Sequence, residues 1–294
     1  MKSLHLAGAL LLLALESRTF GYEPIGWVPP FPHDLYATPT SISFATFAVN
    51  DYSNYRANYP QYSATDLNRS IAAKNAFVSN LTNAISAKYP QTQISHPINL
   101  ENGSATLWNY VFSPSDNSDF VMFAGHGDVG KIVLSDTWAT KYSKSFGGKT
   151  KWVVMNSCLT LFPDGPSMSP WFNGVHAVLG FHSIGWEAIR RKCFFCSGHY
   201  RSEDKYEYFA KAFVTDNRPI WQAFQSAVLI ADYVNIGLSE APAIIYMYGE
   251  DKYGFLNDFS EEKYSSTYNG PPPVYDPYRN QVAKKYVVFG TPNY

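Results

Sequence analysis

The sequence predicts an α/β fold, a doubly wound and mostly parallel sheet flanked by helices. Three observations predict it. Apolar runs of four to six residues end on glycine or polar residues, as strands buried on both faces do. Stretches with a 3.6-residue apolar rhythm lie between them. The two patterns alternate along 294 residues with no low-complexity break in the middle, so one large core is expected rather than two domains.

The chain opens with Lys2, the apolar stretch "LAGALLLLAL" and Glu16, the charged start and short apolar core of a secretory signal. That stretch is too short to span a bilayer. Residues 1–21 are therefore read as a signal peptide, cleaved between Ser17 and Gly21, and 22–294 as a single α/β domain that meets no membrane after cleavage. Residues 22–40, with "WVPPFPHDLYATP", and 269–278, "NGPPPVYDPY", read as Pro-rich extended arms lying on the domain.

The expected strands are "SISFATFAV" (Ser41 to Val49), "DFVMFA" (Asp119 to Ala124), "KWVVMN" (Lys151 to Asn156), "HAVLGF" (His176 to Phe181), "AIIYMY" (Ala243 to Tyr248) and "KYVVF" (Lys285 to Phe289). A helix is expected from Asp66, with Leu67, Ile71, Val78, Leu81 and Ile85 on one stripe and Thr65 or Asp66 as its cap. Tyr206, Phe209, Ala210 and Phe213 mark a second helix. Pro219 opens a third, carrying Ile220, Phe224, Ala227, Val228 and Ala231.

A net charge of −1 supplies no basic field for phosphates, so nucleic acid is not expected as a partner. The 22 tyrosines and 20 phenylalanines read first as core, with an aromatic-lined groove as the alternative. Asn-x-Ser/Thr triplets at Asn68, Asn80 and Asn102 suit glycosylation in a secretory pathway and, with the signal, a secreted or vacuolar protein.

Of three cysteines, Cys193 and Cys196 sit in "KCFFCSGH". They read as a disulfide, as half of a zinc site with His199, or as an inert pair. Cys158 is the one left over. No His-x-His or His-Glu-x-x-His cluster is present, which disfavours a metal-dependent hydrolase using His126, Asp128 and distant ligands, and no cofactor is expected.

Chemistry in an open parallel sheet gathers at the carboxyl ends of the strands. "FVMFA" ends on Gly125-His126-Gly127, and 32 residues after His126 the run "WVVMN" ends on Ser157-Cys158. If the two strands are neighbours, an imidazole and a thiol face one crevice. A thiol is a poor nucleophile at neutral pH until a histidine takes its proton. The amides of Gly127 and Cys158 are candidate donors to the oxyanion formed when a carbonyl is attacked. Taken singly, a strand-end cysteine reads as a small buried hydrophobe and Gly-His-Gly as a turn.

The joint pattern resembles the caspase, legumain, gingipain, clostripain and separase group of cysteine peptidases, marked by a hydrophobic block, His-Gly, a second block and Ala/Ser/Gly-Cys. The similarity runs from Phe120 to Asp251, with specific motifs at Gly125 to Gly127 and Asn156 to Cys158. It implies a caspase-like three-layer sandwich, His126 as base and acid, Cys158 as nucleophile, the Gly127 and Cys158 amides as oxyanion hole, no metal, and a peptide or protein substrate. It also implies that the loop "FHSIGWEAIRRK" (Phe181 to Lys192) helps to form the specificity pocket. There Glu187 or Asp128 would select a basic side chain, Arg190 or Arg191 an acidic one, and Trp186 would form a wall or belong to the core.

His176 and His182 share a strand face but stand roughly 20 Å apart, too far to share a metal. His182 is a candidate for the crevice and His176 a hydrogen-bonded residue at strand entry. His33, His96 and His199 read as solvent-facing loop residues, His96 in a turn beside Pro97. The competing functional reading is a non-catalytic secreted binding protein on the same fold.

Overall fold

The computed structural model describes residues 35–104, 106, 118–140, 146–161, 172–183, 188–192, 198–236, 241–250, 256–270 and 282–287. The signal segment 1–21, Trp186, Glu187, Cys193, Cys196, His33 and most of both Pro-rich arms lie outside these residues. All described residues belong to one compact unit, Pro32–Tyr294.

Eight strands form the central sheet. In chain order they are β1 (Ser41–Ala48), β2 (Gln93–Glu101), β3 (Phe120–Ala124), β4 (Trp152–Asn156), β5 (Ala177–Phe181), β6 (Pro242–Glu250), β7 (Leu256–Asp258) and β8 (Val282–Val287). Across the sheet β2, β1, β3, β4 and β5 lie side by side and parallel. β6 joins β5 antiparallel, and β7 and β8 both pair antiparallel with β6. Each of the apolar runs expected as a strand is one, shifted by a few residues at its ends.

The all-apolar runs are explained by a core on each face. Phe120, Met122, Ala124, Trp152, Val154 and Leu179 point into one cluster, and their neighbours Val121, Phe123, Val153, Met155 and Val178 into the other. Helices follow in chain order as α1 (Ser53–Asn58), α2 (Ser70–Lys88), α3 (Lys205–Ala210) and α4 (Ile220–Val228). The last two continue as π-helical turns, Lys211–Thr215 and Leu229–Ile236. α2, α3 and α4 cover the first cluster with Phe77, Leu81, Tyr206, Phe209, Phe213 and Phe224, all buried. Truncating Phe77 or Leu81 to alanine removes a fully buried side chain, at a cost of roughly 2–5 kcal/mol. Among the described residues the second cluster is covered mainly by α1, a small sheet of Gly127–Asp128, Lys131–Val133 and Trp138–Thr140, and the turns from Phe259 to Tyr268. Strand and turn thus supply much of the cover on that face, where helices were expected.

Two local expectations are corrected. α2 starts at Ser70 with Arg69 in the N-cap position and no side-chain capping bond, so neither Thr65 nor Asp66 caps it. The reason is that Asp66 is engaged elsewhere: its Oδ1 accepts the Tyr52 N–H at 2.9 Å. The edge strand β2 was also not anticipated, because its residues alternate only between exposed and half-buried. Proline cannot donate to a ladder and is tolerated at edges and bulges. Pro97 accordingly sits where the β1–β2 register shifts between the Ser43 and Ala45 pairings. His96 is therefore a strand residue with Nε2 2.8 Å from Thr46 Oγ1, and burial is the first cause holding its pKa below the usual range.

The amino ends of the strands are sealed by buried polar groups. Glu262 accepts from Trp152 Nε1 at 2.7 Å, from the Tyr268 N–H at 2.7 Å and from His176 Nδ1 at 2.9 Å. His176 is thus a hydrogen-bonded strand-entry residue, stacked 4.5 Å from Phe259. The N-terminal arm contributes Tyr36–Ala37, paired with Thr267–Tyr268 in the same region. Among the described residues no helix is long and apolar enough to cross a membrane.

Candidate active site

β3 and β4 are hydrogen-bonded parallel neighbours, with Ala124 opposite Asn156. That pairing has the same 32-residue offset as His126 and Cys158, so each of the two lies two positions beyond the last matched pair. The two loops touch. Gly125 N–H donates to the Asn156 carbonyl at 3.2 Å. A Cβ on Gly127 would fall 2.5 Å from the Cys158 carbonyl oxygen and 2.8 Å from both Ser157 Cβ and Thr160 Oγ1. Glycine at 127 is a condition for this approach.

The strand order adds a second reason to look here. From β1 the chain steps outward to β2, and from β3 it proceeds the other way through β4 and β5. The switch point lies between β1 and β3, where open α/β sheets form their ligand crevices. The segment after β1 accordingly reaches the loop after β3.

His126 is held from that segment. Its backbone N–H donates to the hydroxyl of the fully buried Tyr52 at 2.7 Å, and the two rings lie 4.7 Å apart. Its Nε2 is 2.7 Å from the Thr65 carbonyl oxygen. A carbonyl only accepts, so the contact assigns the neutral ring's proton to Nε2 and its lone pair to Nδ1. The imidazole is thereby fixed in one tautomer with Nδ1 as its basic atom.

Cys158 is half-buried and, among the described residues, a thiol outside any disulfide. The turn that follows it is constrained. Leu159 has φ 50°, a left-handed backbone that a leucine adopts at a cost of about 1–3 kcal/mol and that clusters at functional sites. Its N–H donates to the Ser183 carbonyl at 2.9 Å, and the Leu161 N–H to that of Phe181 at 3.1 Å. These bonds tie the turn to the end of β5. Thr160 Oγ1 meets Ser157 Oγ and also donates to the Cys158 carbonyl at 3.2 Å.

Asp128 and His182 follow the carboxyl ends of β3 and β5, whereas Trp186, Glu187, Cys193 and Cys196 lie outside the described residues. Gly127 and Asp128 form the first strand of the small sheet, paired with Lys131 and Ile132. Asp128 bonds Lys131 Nζ at 2.8 Å, and this hydrogen bond is the first cause holding its carboxyl below the usual range. His182 is half-buried just past β5, its N–H donating to the Ala241 carbonyl at 2.9 Å. Asn68 and Asn102 are exposed and Asn80 is half-buried on α2. Asn102, with φ 52°, accepts the Asn50 and Asp51 N–H groups at 2.7 and 2.9 Å through Oδ1. Among the described residues no three His, Cys, Asp or Glu side chains are grouped to hold a metal. Sequence reasoning missed Tyr52, Arg56, Thr65 and Leu159, whose roles depend on contacts distant in the chain or on a backbone angle that leaves no mark on composition.

Residues 49–232 match the family described as a domain of unknown function, DUF6345. No curated protein matches the chain. Among solved structures it is similar to an inactive zymogen C11 protease from Parabacteroides distasonis, at 10% identity and a TM-score of 0.34. That alignment covers 71% of this chain and 62% of the other, so the chain spans less than two thirds of the protein it matches.

Proposed function

We propose an activity for this chain, which belongs to the DUF6345 family: it is a cysteine-type peptidase or amidase of the caspase and gingipain kind, acting on peptide or protein substrates. The observation that carries the reading is the close packing of the His126 loop on the Cys158 loop through Gly127, at the carboxyl ends of paired strands. In this reading His126 Nδ1 takes the Cys158 proton, and the thiolate attacks the carbonyl carbon of the scissile amide. The Gly127 and Cys158 amides donate to the oxyanion. His126 then returns its proton to the leaving amine, and water releases the acyl group from sulfur. Asp128, His182, Trp186 and Glu187 supply the specificity pocket. The protein works as a secreted or vacuolar glycoprotein after loss of residues 1–21.

The test is alkylation by iodoacetamide across pH, alongside turnover of a library of peptide amides. Labelling of Cys158 in the folded protein, with turnover lost in Cys158→Ala and both labelling rate and turnover lowered in His126→Ala, is the expected result. With at least about a thousandfold loss in Cys158→Ala, the effect is that of a covalent nucleophile. A thiol that reacts only on unfolding sinks the reading.

The second reading, a binding protein on the same scaffold, is favoured by an aromatic shelf beside the small sheet. Tyr59 lies 4.8 Å and Tyr62 5.7 Å from the Trp138 ring, and Tyr62 is 48% exposed. Tight ligand binding unchanged in Cys158→Ala, with no turnover, selects it.

A further inference from the structure

The chain between β1 and α2 doubles back so that residues 64–66 pass the His126 ring, and the Thr65 carbonyl takes the Nε2 proton. One side chain grips both neighbours of Thr65. Arg56 Nη1 donates to the Ala64 carbonyl at 2.8 Å and to Asp66 Oδ1 at 2.8 Å, while Nη2 donates to Asp66 Oδ2 at 3.2 Å. Asp66 Oδ1 also accepts the N–H of Tyr52, the residue whose hydroxyl accepts the His126 N–H. A ring of bonds through Arg56, Asp66 and Tyr52 therefore closes on the imidazole from both its backbone and its Nε2 side.

Stability does not account for this arrangement. The Arg56 and Asp66 side chains are 38% and 53% exposed, and an ion pair so open to water contributes little to folding. What the guanidinium supplies is geometry: a planar fork of fixed donors that serves a carbonyl and a carboxylate at once, which a lysine ammonium on a flexible stem does not reproduce. Arg56 is also the first cause of the lowered Asp66 pKa, so the carboxylate stays charged and clamped through the neutral range.

We propose that Arg56 is a positioning residue: by holding Ala64 and Asp66 it aims the Thr65 carbonyl at His126 Nε2–H and keeps the ring in the tautomer whose Nδ1 accepts a proton. The proposal rests on the reading of His126 as the base. Its first test is independent of turnover. Nitrogen-15 NMR of the imidazole in Cys158→Ala protein reports the tautomer directly, and the native Arg56 protein gives a single Nε2–H form. Arg56→Gln and Arg56→Lys each give a mixture, with Asp66→Asn between them and the native chain. In the protein with Cys158 intact, Arg56→Gln lowers kcat roughly 10- to 100-fold with KM unchanged, the signature of a misaligned base. A pure Nε2–H tautomer in folded Arg56→Gln overturns the proposal, and so does loss of the fold in both Arg56 variants, which makes the residue structural. If the tautomer shifts as stated while the parent protein hydrolyses no peptide amide, the clamp stands and the peptidase reading falls.

Discussion

Two histidines at opposite ends of the same sheet show how place decides chemistry. His176, at the amino end of β5, is 3% exposed, bonded to the Glu262 carboxylate and stacked on Phe259. Glu262 in turn takes bonds from Trp152 and Tyr268, so the cluster pins the Phe259–Tyr268 turns to the sheet. His126, past the carboxyl end of β3, is only half-buried, and the bond from Nε2 goes to a neutral carbonyl. Beside it lie a glycine with no room for a methyl group and, after Cys158, a leucine in the left-handed region. The amino end is arranged for closure, with the buried Glu262 side chain taking hydrogen bonds from three donors. The carboxyl end holds an imidazole in a set orientation and stores backbone strain next to a thiol, the arrangement on which the proposed peptidase activity rests.

The contrast breaks most visibly at Glu262. Glu262→Ala leaves the His176, Trp152 and Tyr268 groups without their buried acceptor, and each buried donor left unsatisfied costs roughly 1–3 kcal/mol. Chemical denaturation should show that loss, while turnover per folded molecule stays that of the parent. A matching loss of specific activity at temperatures where the variant is fully folded would mean that the two ends are not separable. Gly127→Ala is the converse. Its Cβ meets the backbone carbonyl of Cys158, which has no flexible end to move away, so the two loops must part. The expected cost is about 1–3 kcal/mol in stability, with a larger effect on function, on the order of a 10²-fold loss of turnover for an ångström of displacement. Wild-type turnover in Gly127→Ala would detach the loop contact from catalysis.

The closed parts of the molecule were the legible ones. A run such as "FVMFA" is buried at every position, so it has one reading, and the paired runs ending on Gly-His-Gly and Ser-Cys carry their strand register in their spacing. The stripes of α3 and α4 were visible for the same reason: apolar period and burial coincide. The arm that holds His126 has no such code. Arg56 and Asp66 are polar, exposed and aperiodic, and Thr65 reaches His126 across 61 residues through a backbone atom that every residue type possesses. The same gap explains the corrections. Asp66 reads as a helix cap until Tyr52 and Arg56 claim its carboxylate, and His96-Pro97 reads as a turn until a register shift lets an edge strand absorb the proline.

The smallest effect sharpens the comparison from the carboxyl end, where charges are shared with water. Asp128 has its carboxyl held below its ordinary value of 3.8, first by the hydrogen bond from Lys131 and also by the Val129 N–H, which bonds Oδ1 at 2.8 Å. A folded pKa below the unfolded one contributes stability that is present above about pH 3.8 and lost as pH falls through the folded value. The Asp128 side chain is 49% exposed, so screening reduces the contribution to about 0.3 kcal/mol. Lys131→Met keeps an apolar stem near Trp138 while removing the charge that sits 5.5 Å over that ring. The Asp128 titration, followed by carboxyl NMR, should then move up toward 3.8, and the stability difference between the variants should vanish below the folded pKa. An Asp128 titration that does not move assigns the shift to the Val129 N–H, and with it to the turn rather than to the ion pair.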